Sequence, residues 1–145
     1  MQYQAYVRKF SYEWYEGTLS LEIDDISLAV TYTVNCDEFA EKHLKIGSQI
    51  AIDLWLRYCS KVEFLPPGSL KCFPTDQRIA GGDVQGQVTA ILDVDSFRLD
   101  CGVMAIDVKS EEGIVPQVGQ IVRVRGTYHV FFPDTECSYE NLGLM

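Results

Sequence analysis

The chain has no Cys-x-x-Cys pair, no run of Lys or Arg, and only two histidines, His43 and His129. Zinc-finger spacing is thereby excluded, and so is a basic nucleic-acid tail. No window of ~20 apolar residues exists to span a bilayer as a helix, so no membrane partner is expected. The start, Met1-Gln2-Tyr3-Gln4, lacks a cationic stretch followed by an apolar one, so no signal peptide is expected. Five cysteines (Cys36, Cys59, Cys72, Cys101 and Cys137) leave one over if the others pair, which is not a secreted disulfide framework. Reduced thiols in a cytoplasmic protein are the expectation.

Gly81-Gly82-Asp83-Val84-Gln85-Gly86 is not followed by Gly-Lys-Ser/Thr and does not open a helix, so it reads as a turn rather than a phosphate loop. There is no Gly-x-Ser-x-Gly elbow, no cysteine motif beside either histidine, and no pair of carboxylates that sequence alone puts in one cleft. No catalytic residue, metal site or cofactor is expected, and the chain is read as a non-enzyme.

What is present is hydrophobic and acidic. Of 145 residues 47% are hydrophobic, enough to bury a core without staples. The net charge is −9, from 12 Lys and Arg against 21 Asp and Glu. Residues 1–72 carry seven basic against ten acidic groups and residues 73–145 carry five against eleven, so neither half is a basic module. Phosphate backbones are bound by neutralising charge, so this balance counts against nucleic acid.

The ruling pattern is alternation with period two, the sign of half-buried strands. From Ile121 to Phe132, Val122, Val124, Tyr128, Val130 and Phe132 share one face. Arg123, Arg125, Thr127 and His129 share the other. From Ile50 to Tyr58, Ile50, Ile52, Leu54 and Leu56 point in and Asp53 and Arg57 point out; Trp55 has the outward parity. Other strands are expected at Thr18–Ile23, Ser27–Val34, Val84–Leu92, Ser96–Asp100 and Val103–Val108. Tyr6–Trp14 also alternates, with Tyr6, Phe10, Tyr12 and Trp14 on one side, expected to be a buried face, with a stacking platform as the alternative. One short helix is expected over Asp37–Leu44, with Asn35 as cap and His43 at its end. Prolines and glycines between Leu65 and Gly86 mark a connection, and the tail from Pro133 is polar, with Tyr139, Leu142 and Leu144 able to dock.

The halves read alike. Gly17 aligns with Gly86 at a separation of 69 and Gly47 with Gly119 at 72, an internal repeat. A strand glycine permits sharp coiling, which lets a five-stranded sheet close on itself. The segments Gly86–Leu92, Phe97–Gly102 and Val118–Val124 resemble the first, second and fourth strands of the OB-fold. The resemblance covers residues 84–132, with a weaker echo over 16–64. It implies a mostly β protein of two OB-like small Greek-key barrels or half-barrels with one short helix, as an N-terminal half, 1–72, and a C-terminal half, 73–145. Packing as one domain stays open. The second half shows no fifth strand after Phe132, and Tyr6–Trp14 is the candidate to fill that place.

Function follows less directly. Asp93-Val94-Asp95 offers two carboxylates but lacks the further oxygens a calcium loop needs, and reads as a solvated hairpin turn matching Glu22–Asp25. OB-type barrels bind oligonucleotides or oligosaccharides on a face that joins positive charge to stacking aromatics. The resemblance points such a ligand to Arg98, Arg123, Arg125 and His129, with Phe131 for stacking. The plainer reading pairs those arginines with neighbouring Asp and Glu. Trp55 is the candidate contact for a partner. The reading preferred here is a non-enzymatic binding or assembly module engaging a protein partner, of which a basic one suits its charge, or itself as a homo-oligomer. Nucleic acid or glycan on the arginine face is the alternative, disfavoured by net charge.

Overall fold

The computed structural model describes residues 1–13, 16–33, 45–73, 76–77, 81–111 and 113–132. Nine strands occupy them: β1 (Gln2–Glu13), β2 (Glu16–Ile23), β3 (Ile26–Thr33), β4 (Gln49–Leu65), β5 (Asp76–Gln77), β6 (Gly81–Asp93), β7 (Ser96–Asp100), β8 (Ala105–Ser110) and β9 (Ile121–Phe131). The expected helix at 37–44, with His43, lies outside the described residues, as do Trp14, Cys36, Cys137 and the tail from 133. The chain forms two compact units. One comprises Met1, Trp55–Pro74 and Gly81–Tyr128; the other comprises Gln2–Leu54, Thr75–Ala80 and His129–Met145.

The first of these units, called the C-terminal unit below, is a closed ring of five strands. β6 pairs antiparallel with β7 (Val88↔Leu99) and β7 with β8 (Leu99↔Ile106). β8 runs parallel to the second part of β4 (Trp55↔Asp107, Leu56↔Val108). β4 also pairs with β9, and Gly126 of β9 lies against Arg57 O and Cys59 Sγ. β9 returns to β6 in a long antiparallel register from Gly81↔Thr127 to Gln87↔Ile121. Alternate residues then fill the ring: Leu56, Val84, Val88, Phe97, Leu99, Ile106, Val108, Val122, Val124 and Tyr128 are buried. Each large apolar side chain so enclosed contributes roughly 2 kcal/mol relative to exposure.

In the other unit β1 pairs with β2 (Phe10↔Leu19) and with the first part of β4 (Tyr3↔Ile52), and β2 pairs with β3 (Leu19↔Val30). β3 runs parallel to the last residues of β9 (Thr31↔His129, Tyr32↔Val130) and to β5 (Ser27↔Asp76). Its core is Ala5, Val7, Leu19, Leu21, Leu28, Val30, Tyr32, Ile52, Leu54, Val130 and Phe132. The Tyr32 and Phe132 rings meet edge to face at 6.0 Å.

Both units are OB-like, mostly β assemblies and share one local device. In one, Val7 N–H donates to Ser48 O (3.0 Å) and Gly47 N–H to Val7 O (2.7 Å). In the other, Val88 N–H donates to Gln120 O (2.9 Å) and Gly119 N–H to Val88 O (2.8 Å). Gly47 (φ 84°) and Gly119 (φ 95°) hold the left-handed conformation that this turn requires. A register shift follows at once in each first strand, Val7/Lys9 and Val88/Ala90. Such bulges bend and coil a strand.

Several expectations need correction. Gly17 and Gly86 are not equivalent: Gly17 lies on β2, the second strand of its hairpin, and Gly86 on β6, the first strand of its own. Glycine is needed at each for a different steric reason. At Gly17 a Cβ would run into the Tyr32 ring and Ser11 O, and at Gly86 into Asp100 O. The turns at Asp24-Asp25 (β2–β3) and Val94-Asp95 (β6–β7) are therefore not counterparts either. Gly81–Gly86 is not a turn but the start of β6, satisfied by β9. The strand that completes the C-terminal unit is the second part of β4, not Tyr6–Trp14, because β1 is already held by β2 and the first part of β4. Tyr6 is exposed (45%) while its neighbours Ala5 and Val7 are buried; the side chains of Phe10 and Tyr12 lie outside the described set. Asp53, expected outside, is buried (8%).

Candidate functional site

Strand alternation on β9 turns Val122 and Val124 into the ring and so sends Arg123 and Arg125 outward. Their cross-strand neighbours on β6 are set by register: Arg125 faces Asp83 and Arg123 faces Gln85. On β4, Lys61 and Glu63 stand two residues apart, hence on one face. Lys61, Glu63, Asp83, Arg123 and Arg125 line an open cleft of about 340 Å³ on the outside of the C-terminal unit.

The two arginines are held differently. Arg125 forms a two-pronged pair with Asp83, Nε to Oδ1 and Nη2 to Oδ2, each 2.9 Å. Those hydrogen bonds hold the Asp83 carboxyl below its ordinary range and raise Arg125 in turn. Arg123 instead donates Nε (3.2 Å) and Nη2 (3.1 Å) to the neutral Gln85 Oε1. Its Nη1 is 3.8 Å from Glu63 Oε2, outside hydrogen-bond range. Gln85 is fixed from behind, its Nε2 donating to Leu70 O at 2.6 Å. Lys61 is exposed and makes no ion pair or hydrogen bond among the described residues. The cleft thus holds three cations and two carboxylates, with Arg123 and Lys61 retaining donor capacity.

Arg98 is not part of this group. It lies on β7 opposite Ala90, whereas Arg123 and Arg125 lie opposite Gln85 and Asp83 on the same β6. At roughly 3.3 Å per residue that places it some ~16 Å or more along the strand. Arg98 is bound to the buried Asp107 on β8 (Nε to Oδ1, 2.9 Å; Nη2 to Oδ2, 3.4 Å), which also meets the Met1 amino group at 2.5 Å.

His129 is not on an outward face. It is 3% exposed, with Nδ1 2.9 Å from Thr31 Oγ1 and its ring tilted by 37° against Phe131 at a centroid distance of 4.8 Å, and it belongs to the other unit. Phe131 is buried too and offers no stacking surface. Alternation on β9 ends at Tyr128, where the strand passes from one unit to the next and residues on both its faces become covered. Trp55 is half-buried, at the first position where β4 pairs with β8.

Lys61, Glu63 and Asp83 were missed from sequence because β4 was expected to end at Tyr58 and Asp83 to sit in a turn. The usable signal was the continued alternation of Lys61, Val62 and Glu63 beyond Cys59.

No group of three or more metal-ligating side chains occurs among the described residues. The thiols of Cys59 and Cys101 are buried, and desolvation, assisted by nearby Glu111 and Asp100 respectively, pushes each up to about 12. At neutral pH neither is a nucleophile. Cys72 is exposed.

No family model matches this chain, and no curated protein does. Among solved structures it is similar to the cytoplasmic molybdate-binding protein ModG with molybdate bound. The TM-score is 0.51 at 11% identity, over 92% of this chain and 96% of that one. At such identity the likeness is one of fold: this chain is an OB-like, mostly β protein.

Proposed function

We propose that this chain is a non-enzymatic binding module whose C-terminal unit takes a small tetrahedral oxyanion, of the molybdate, sulfate or phosphate class, between Lys61 and Arg123. The observation that carries the reading is that these two cations line one cleft, Lys61 without an ion pair among the described residues and Arg123 in only a long ion pair with Glu63 at 3.8 Å, while Arg125 is locked to Asp83 by two hydrogen bonds. An oxyanion accepts several charge-assisted hydrogen bonds at once, which matches a guanidinium and an ammonium better than an amide does. The fold likeness to a molybdate-binding protein supports a ligand of this class. A long polyanion suits the cleft less well, since Glu63 and Asp83 stand in it and the net charge is −9. A cytoplasmic setting goes with the reading, in keeping with the free thiols of Cys59, Cys72 and Cys101.

The site is open to water, so the affinity is modest, with Kd on the order of 0.1–1 mM. Calorimetric titration with molybdate, sulfate and phosphate at low salt tests it. Binding should disappear in Lys61→Gln/Arg123→Gln and strengthen several-fold in Glu63→Gln. Equal binding by the folded double variant overturns the assignment. Tight binding of short oligonucleotides without binding of the small anions replaces it with the polyanion reading.

A further inference from the structure

We infer that the free edge of β6 from Thr89 to Asp93 is a docking site for an extended segment of a basic protein partner, which would add to it as a further strand. The inference stands apart from the oxyanion cleft, because it concerns the other end of β6.

β6 is longer than the ring needs. Its pairing with β9 ends at Gln87↔Ile121, and the last bonds on that side join Val88 to Gln120 and Gly119. Beyond Val88 the strand continues to Asp93 paired only with β7 among the described residues (Ala90↔Arg98, Ile91↔Phe97, Asp93↔Ser96). One side of this arm therefore has no strand neighbour among the described residues, the template that strand addition uses.

The side chains on the arm are not those of a solvated edge. Ile91 (45%), Leu92 (39%) and Val94 (85%) are all exposed and adjacent, at the tip of a hairpin whose β7 residues Ser96 and Phe97 are buried. Uncovered apolar residues grouped in this way mark contact surfaces more than scattered ones do.

The charges select the occupant. Asp93 and Asp95 flank Val94; Asp95 has Lys109 at 4.0 Å, while among the described residues Asp93 Oδ1 accepts only from Val94 N–H (2.7 Å). A second copy would bring four carboxylates together between molecules that each carry −9. The register shift between Ile91 and Asp93 further discourages flush pairing of identical edges. A segment with alternating apolar residues and flanking Lys or Arg meets both the edge and the carboxylates.

Amide hydrogen exchange of the full chain, alone and with a synthetic peptide of alternating valine and threonine flanked by lysines, tests this. The free chain should exchange quickly over 89–94, and the peptide should slow those amides by ~10-fold or more. The slowing should vanish in Ile91→Lys and weaken in Asp93→Lys while the ring amides of β8 stay protected. Protection of 89–94 already present in the free monomer, or no slowing at any peptide concentration, overturns the inference. Protection that rises with protein concentration alongside dimerisation in sedimentation assigns the edge to a second copy instead.

Discussion

Replacing Gly86 with alanine should be among the most damaging small changes in this protein, although the position lies in a strand where alanine is conformationally allowed. A Cβ there would overlap Asp100 O and stand 2.7 Å from Asp100 C and 3.1 Å from Cys101 Cα. These are backbone atoms, so no side chain can rotate away. Reaching ordinary contact at 3.4 Å or more with the Asp100 carbonyl requires β6 and the end of β7 to separate by more than about 1 Å. Neighbouring pairs, Gln87↔Asp100 and Val88↔Leu99, must distort with them. Overpacking of this kind costs ~1–3 kcal/mol, and the stiffer unfolded chain offsets only ~0.4–1 kcal/mol of it. A chain of this size loses roughly 2–4 °C per kcal/mol, so the net cost of up to about 2.6 kcal/mol should lower Tm by up to about 10 °C. The control is Gly81→Ala on the same strand, where the nearest atom, Gly126 O, is 3.7 Å from the new Cβ. It should be neutral or slightly stabilising. Calorimetric melting and urea midpoints of the two variants decide the matter. Equal stability of Gly86→Ala and Gly81→Ala would refute the close approach of β6 to Asp100.

Four further outcomes are expected. Asp83 and Asp100 are held below the ordinary carboxylate range, by hydrogen bonds from Arg125 and from Lys71 respectively. Their contribution is complete above the unfolded carboxylate pKa near 4 and is lost as pH falls through the lowered values, more shallowly in high salt because both are exposed. Urea titrations at stepped pH on Asp100→Asn should show a shallower acid loss than the parent; an identical loss contradicts the coupling. Cys59 and Cys101, each pushed up to about 12, keep their protons in the folded state while the unfolded thiols ionise near 9. Stability should therefore decline as pH rises from about 9 toward 12. Peptide mapping after native alkylation at pH 8 should find Cys72 labelled and those two untouched; equal labelling of Cys59 would contradict its burial. Finally, Asp107→Ala should lose ~1–3 kcal/mol, read as a lower urea midpoint, because the carboxylate is buried against Arg98. An unchanged midpoint would show that pair to be energetically idle.

The sequence by itself determined the strands and most of their inward faces. Alternation needs only local parity, so Val122, Val124, Ile52 and Leu54 could be assigned inward before any pairing was known. The turn at Gly47 and its counterpart at Gly119 were legible for the same reason, since an apolar residue and glycine before an alternating strand is a local signature. Tertiary structure alone decided which strands meet. β4 and β9 each serve one unit with their first part and the other with their second, and no local pattern records where a long strand changes its neighbours. The covered stretch of β9 from Tyr128 buries His129 and Phe131 against the expected parity, Asp53 is buried as well, and the register along β6 sets Arg98 apart from Arg123. It also brought Lys61 and Glu63, from one half of the sequence, beside Asp83 and Arg123 from the other. The cleft depends on contacts between residues far apart in the chain, which only the closed ring supplies.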